Sequence, residues 1–198
     1  MNTEEILEGI PDKQFRWKDT TSLKWKEDLL MFAADKNFKN VLEIGTNYGW
    51  TSYLLSYMAE QVYTVEKNVN SFEEARKICE GRENITFILG DAYNDTTYKD
   101  VPNELDAVVV DCIHTYQAVE KDILRAIKYK AKDKPIYLIF DDYSHPKSAG
   151  VGHAIDDFRN KKGFFERYLG HEKGHEVNRN DGSSFILTGN EGIILRYE

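Results

Sequence analysis

Three aspartates and one histidine are the side chains of this chain best suited to chemistry: Asp111, His114, Asp141 and Asp142. Asp111 follows the apolar run 105–110, and Asp141 and Asp142 follow the run 136–140. As neighbouring parallel strands, these runs would bring the three carboxylates together at their tips, where mutual repulsion forces either proton uptake or neutralisation by a cation. An all-oxygen donor set suits Mg²⁺, with Ca²⁺ or Mn²⁺ as substitutes. In the alternative arrangement Asp111 faces a bound cofactor while Asp141 and Asp142 cap the next helix or turn. His114 lies three residues after Asp111, so one short turn returns its ring to the same mouth. An imidazole titrating near ~6.5 suits proton removal close to neutrality, and a structural loop histidine is the alternative. Tyr116, Tyr143 and His145 lie near the predicted mouth and stand outside the catalytic assignment.

A second set of residues suits ligand binding. The run 41–44 leads through Gly45, Thr46, Asn47, Tyr48, Gly49, Trp50 and Thr51 directly into a predicted helix. Glycines at 45 and 49 permit a tight turn and close approach of a ligand to the backbone, while free amides at the helix start favour an anionic group such as a carboxylate. A plain strand-to-helix turn uses the same residues. Glu66 ends the next apolar run, where an acidic side chain can accept hydrogen bonds from a ribose diol, as in nicotinamide and S-adenosylmethionine sites alike. After the third run, Gly90 and Asp91 open a loop, and Asp91 either meets an adenine amine or caps the following turn.

The elements that must position these groups are legible as five apolar runs, at 41–44, 62–65, 85–89, 105–110 and 136–140. Most are continuous rather than alternating, as parallel strands covered on both faces require. Helices are expected at 22–34, 50–59, 71–80, 116–130 and 151–161. In 116–130, Val119, Ile123, Ala126 and Ile127 share one face, leaving Lys121, Asp122 and Arg125 to the remaining surface. Alternation of strand and helix predicts an α/β, Rossmann-like fold: a mostly parallel sheet, helices on both faces, and ligands at the carboxyl ends of the strands. The tail runs SFIL and GIILRY predict closing antiparallel strands, with a turn at 189–192. The whole of 1–198 reads as one domain: 39–198 as the core, and 1–38, with Phe15, Trp17 and Trp25, as a cover or lid.

Composition narrows the partners. Hydrophobic residues at 41% and charged residues at 30% describe a chain that folds. A net charge of -8 opposes nucleic acid, whose binding needs clustered Lys and Arg. Cys79 and Cys112 are too few for a disulfide framework and read as packing residues in a reducing compartment. The acidic N-terminus has no signal-peptide pattern, and no apolar run approaches the ~18 residues of a membrane helix, so the expectation is a cytoplasmic protein without a membrane partner. Self-association stays open.

The segment VLEIGTNYGWTS resembles the first motif of class I S-adenosylmethionine-dependent methyltransferases, especially the catechol O-methyltransferase-like kind, whose pattern is Glu-x-Gly-x-x-x-Gly. That resemblance implies S-adenosylmethionine as cofactor. It implies Glu43, Gly45 and Thr51 around the methionine end, within a loop that includes Asn47 and Gly49, Glu66 at the ribose, Asp91 and Ala92 beside the adenine, and Asp111 at the cofactor's edge. DCIHTYQAVEKDI and FDDYSHPKSAGVGHAIDDF are similar to segments of the macrocin O-methyltransferase-like family, and the resemblance spans roughly 40–160. It implies Mg²⁺ held by Asp111, Asp141 and Asp142, catalysis by His114 with Asp111, and a sugar or phenolic hydroxyl on a small molecule as acceptor. The segment KAKDKPIY replaces that family's glycine-rich turn before the fifth strand. Two rivals remain at this level: an NAD-dependent oxidoreductase, which the Trp at position 50 in place of a third glycine disfavours, and a binding module of the same fold without turnover.

Overall fold

Successive residues of a strand face opposite sides of a sheet, so a strand apolar at every position needs cover on both faces. The central strands meet that condition. Leu42, Ile44, Val108, Val110, Leu138 and Phe140 enter a core shared with two C-terminal helices, while Val41, Ala107, Val109 and Ile139 enter a second core on the other face. A computed structural model describes residues 3–8, 10, 21–178 and 183–198.

The strands are β1 (Phe38–Ile44), β2 (Ala59–Glu66), β3 (Ile85–Leu89), β4 (Ala107–Val110), β5 (Ile136–Phe140), β6 (Phe164–Leu169), β7 (Glu176–Asn178), β8 (Ser184–Ile186) and β9 (Gly192–Tyr197). The helices are α1 (Thr3–Leu7), α2 (Leu23–Ala33), α3 (Trp50–Leu55), α4 (Val69–Ile78), α5 (Tyr116–Lys128) and α6 (Ala149–Lys161). Among the described residues one seven-stranded sheet runs β3-β2-β1-β4-β5-β9-β6. β1 to β5 are parallel, and β9 runs antiparallel to both β5 and β6. Strand order reverses between β1 and β4, so their carboxyl ends open the crevice in which such sheets bind ligands. No helix among the described residues is long and apolar enough to cross a membrane.

The expected Rossmann-like fold is present, with local corrections. β4 starts at Ala107, because Leu105 makes an isolated bridge to Lys130 instead. The expected helix at 50–59 stops at Leu55, since Ala59 already pairs with Phe38 on β1. The SFIL run does not join the main sheet: its first three residues, β8, pair with β7 in a separate hairpin, leaving β9 to close the sheet. The edge strand β6 has no counterpart in the expected elements; its Phe164 and Phe165 stay exposed, so it lacks the buried run by which the others are recognised.

Two further corrections concern burial. Trp25 and α2 are core rather than cover. Trp25 is fully buried, and Ser22, which caps α2 by accepting from the Trp25 amide, donates from its own amide and hydroxyl to Glu191 at 3.0 and 2.6 Å. Asp28 accepts the Gly170 amide at 3.0 Å, so α2 is tied to the C-terminal part of the chain at its N-cap and again at its middle. Phe15 and Trp17 lie outside the described residues. Asp122, expected on the surface of α5, is fully buried, where it accepts the Tyr93 hydroxyl at 3.3 Å.

Candidate active site

The loop from β1 to α3 is shaped by close packing. Gly45 holds φ +102°, and a Cβ there would run into the backbone carbonyl of Asp111 at the end of β4. Only glycine meets both conditions, because L side chains disfavour positive φ and this one would also collide. Gly49, at φ +84°, caps α3, and a Cβ on it would stand 2.8 Å from that of Ala75. The amides of Gly45 and Thr46 both donate to the Val65 carbonyl at 3.1 Å, which pins the loop to the tip of β2.

Two carboxylates hold this loop from different sides. Glu66 accepts from the amides of Asn47 at 2.8 Å and Asn68 at 2.7 Å, strapping the loop to the start of α4. Glu43 is buried beneath the loop, where it accepts from the hydroxyls of Ser52 and Thr64, and Thr64 shares a 2.5 Å hydrogen bond with Thr46. Burial pushes the Glu43 carboxyl up to about 8; the Ser52 and Thr64 hydroxyls oppose the rise and the charges of Asp111 and Glu66 add to it. Glu43 therefore supports the loop from behind, while Thr51 is buried in the first turn of α3. Ser52 and Thr64 escaped sequence reasoning, since a lone hydroxyl within a strand or helix carries no spacing signal.

Asp91 takes the turn-capping role. Its Oδ1 accepts the Tyr93 amide at 2.9 Å, and its Oδ2 pairs with Lys67 at 2.8 Å, which holds the carboxyl below the usual aspartate range. Ala92 is buried beside it, and its carbonyl accepts the Tyr98 hydroxyl at 2.9 Å. Lys67 was not foreseen.

At the tips of β4 and β5, His114 stands between two carboxylates. Its Nε2 lies 3.3 Å from Asp111 Oδ1 and its Nδ1 3.5 Å from Asp142 Oδ2. The contact with Asp111 is a hydrogen bond, and the one with Asp142 is an ion pair when the ring is charged. The hydrogen bond to Asp111, with the charges of Asp142, Asp111 and Asp141, raises the ring to about 9 against the opposing effect of burial. This corrects the expectation of an imidazole titrating near ~6.5: in this arrangement the ring is an imidazolium. Asp142 reaches it from a left-handed backbone, φ +55°, an uncommon conformation for a side-chain-bearing residue. Asp141 is buried at the end of β5.

Asp111, His114 and Asp142 thus meet at these tips, and the charge of Asp141 acts on the same ring. Among the described residues no three His, Cys, Asp or Glu side chains stand at the spacing of a bound metal ion. The donor chemistry, carboxylates only and in charge excess over one imidazolium, is nonetheless that of a hard-cation site. Tyr116 and Tyr143 reach away to α6, donating to Asp157 at 2.8 Å and Asp156 at 2.7 Å. His145 packs edge-on against Phe185 of β8, with ring centres 4.4 Å apart, so the β7–β8 hairpin borders the loop after β5. Burial drives the thiols of Cys79 and Cys112 up to about 12, in keeping with packing roles.

Comparison with known proteins gives the fold and the family. Among curated proteins, the protein-L-isoaspartate O-methyltransferase of Dictyoglomus turgidum is 30% identical over 126 residues, covering 62% of this chain and 53% of that protein. The chain thus spans about half the length of that relative. Among solved structures, an O-methyltransferase from Bacillus cereus in complex with SAH superposes with a TM-score of 0.64 at 16% identity, covering 98% of this chain and 89% of that one. The O-methyltransferase TomG from Streptomyces achromogenes, in complex with SAM, gives 0.62 at 16% identity, covering 90% and 80%. These likenesses show the Rossmann-like methyltransferase fold. The signature of a methyltransferase domain matches residues 42–143, just over half of the sequence and the stretch that holds the glycine loop, Glu66, Asp91, the Asp111–His114 pair and both β5-tip aspartates. The chain belongs to this methyltransferase-domain family.

Proposed function

We propose that the chain, as a single domain, is an S-adenosylmethionine-dependent O-methyltransferase acting on a hydroxyl of a small molecule, a sugar or a phenol. The observation that carries this reading is the meeting of two half-sites across the strand-order reversal: the Gly45 loop packs directly on the Asp111 backbone, and the Asp111 side chain meets His114. Although the amides of Gly45, Thr46, Asn47 and Gly49 are spent within the chain, Glu66 is matched to a ribose and the Asp91–Ala92 turn to an adenine.

When bound, S-adenosylmethionine supplies a methyl group on a sulfonium; the O–C bond forms as the S–C bond breaks, the sulfur keeps the electron pair, and the hydroxyl proton must leave. His114 is the group placed to take that proton, once one ring nitrogen has given up its own to a neighbouring carboxylate or to solvent. Asp111 and Asp142 orient the ring. Asp111, Asp141 and Asp142 are also the residues that would hold Mg²⁺, which would bring positive charge to the acceptor oxygen. The protein's main contribution is alignment of oxygen, carbon and sulfur.

A thermal-shift comparison of S-adenosylhomocysteine with NAD tests the cofactor, since a ligand at 100 times its Kd stabilises the fold by about 2.7 kcal/mol. Stabilisation by NAD alone would overturn the reading. Transfer of a labelled methyl group to a panel of sugars and phenols, with and without Mg²⁺, tests the acceptor. An isoaspartyl peptide belongs in the same panel, and labelling of that peptide alone would move the acceptor from a hydroxyl to a carboxylate.

A further inference from the structure

The sequence segment that carries Asp111 and His114 ends in an acid the reaction does not use, Asp122. It lies on α5, one helical turn past Ala118, and is fully buried. A buried carboxyl normally takes several hydrogen bonds or a cation. Among the described residues Asp122 takes one, from the Tyr93 hydroxyl to Oδ2 at 3.3 Å, while its Oδ1 is buried without a hydrogen-bond partner. The cation one turn on, Arg125, is directed elsewhere: it pairs with Asp95 at 2.8 Å and lies over the Tyr98 ring at 4.2 Å. Packing alone would be served better by an apolar residue. What Asp122 does is hold Tyr93.

Tyr93 stands where this matters. It follows Asp91 and Ala92 in the turn after β3, is half-buried, and its phenol also interacts with the thiol of Cys112, the residue after Asp111 at the tip of β4. Its backbone amide is already fixed by Asp91, so the phenol anchor at Asp122 sets the direction of its ring. Three elements, the β3 turn, the β4 tip and α5, therefore meet at one aromatic side chain.

We propose that Asp122 is a positioning residue for the cofactor's adenine, acting through Tyr93, whose ring it holds against Cys112 as the wall between the β3 and β4 tips. This rests on the proposed function, which places the base beside Asp91 and Ala92. Asp122 touches no reacting atom; its effect is on nucleoside affinity.

The test is calorimetric titration of the full chain with S-adenosylhomocysteine and with 5′-methylthioadenosine, which keeps the nucleoside and lacks the amino-acid group. Asp122→Leu should weaken both ligands about tenfold, the order expected for one positioned hydrogen bond. Asp122→Asn keeps an acceptor for the phenol and should bind within about twofold of the wild type. Tyr93→Phe should match Asp122→Leu, and the double variant should be no weaker than either. In turnover, KM for the cofactor should rise with kcat unchanged. Asp122→Leu that folds and binds both ligands like the wild type, or losses that add in the double variant, would overturn the proposal. Should Asp122→Leu fail to fold, Tyr93→Phe decides alone, and wild-type affinity in it overturns the proposal. A wild-type chain that binds neither ligand overturns the proposed function itself, and this inference with it.

Discussion

The two halves of the site, both at the carboxyl edge of one sheet, are built on opposite principles. Around the glycine loop the acids are satisfied by the chain's own donors: Glu66 by two backbone amides, Glu43 by two hydroxyls, Asp91 by an amide and Lys67. At the β4 and β5 tips one imidazole stands between Asp111 and Asp142, near the charge of Asp141, with Asp142 held on a left-handed backbone. On the proposed function, affinity belongs to the first half, whose acids are already satisfied, and chemistry to the second, which holds charge in excess.

That division can be broken in four ways. The largest effect is expected at His114: His114→Ala should lower kcat by about 10²–10⁴, the usual range for a lost proton-transfer group, with S-adenosylhomocysteine affinity nearly unchanged. Comparable loss of affinity would mean the halves are not separate. Next is Gly45→Ala, which places a methyl group against the Asp111 carbonyl at positive φ. It should cost on the order of 3 kcal/mol of stability and abolish cofactor binding, read by thermal melting and calorimetry. A variant that binds normally would show that the loop is not the receptor.

The third effect concerns pH. The Glu43 carboxyl is raised by burial to about 8 from an ordinary 4.5, so between those values the folded chain holds a proton that the unfolded chain has lost. Stability is then fully present below pH ~4.5 and declines as pH rises through about 8, by an amount on the order of a few kcal/mol. Glu43→Gln keeps an acceptor for Ser52 and Thr64 and should flatten that decline in denaturant titrations across pH; an unchanged slope would mean Glu43 is already ionised. The smallest effect is at Ser22, which touches none of the proposed site residues: Ser22→Ala removes the cap of α2 and a hydrogen bond to Glu191. It should lower stability by about 1–2 kcal/mol and leave turnover and affinity alone.

Much of this was legible from one-dimensional pattern. Continuous apolar runs at 41–44, 62–65 and 136–140 became β1, β2 and β5, because a strand covered on both faces must be apolar throughout, and the run 85–89 became β3, an edge strand apolar in sequence though only partly buried. Gly45 and Gly49 were readable as turn residues, since positive φ leaves few other choices. β6 was not readable, because an exposed edge strand carries no buried run. Asp122 was misread for a related reason: a polar residue on an amphipathic helix looks solvated until the neighbours that bury it are known.

By itself, then, the sequence determined the order of strands and helices, the positions of the loop glycines, and which acids end which strands; each follows from local backbone preference and hydrophobic period. Tertiary structure alone decided what those acids do. Only the packing of β4 against β1 sets Gly45 on the Asp111 carbonyl, and only the nearness of the β4 and β5 tips gives His114 two carboxylates and so a positive charge. Burial and neighbouring charge set a side chain's protonation, and both are properties of the fold rather than of residue type.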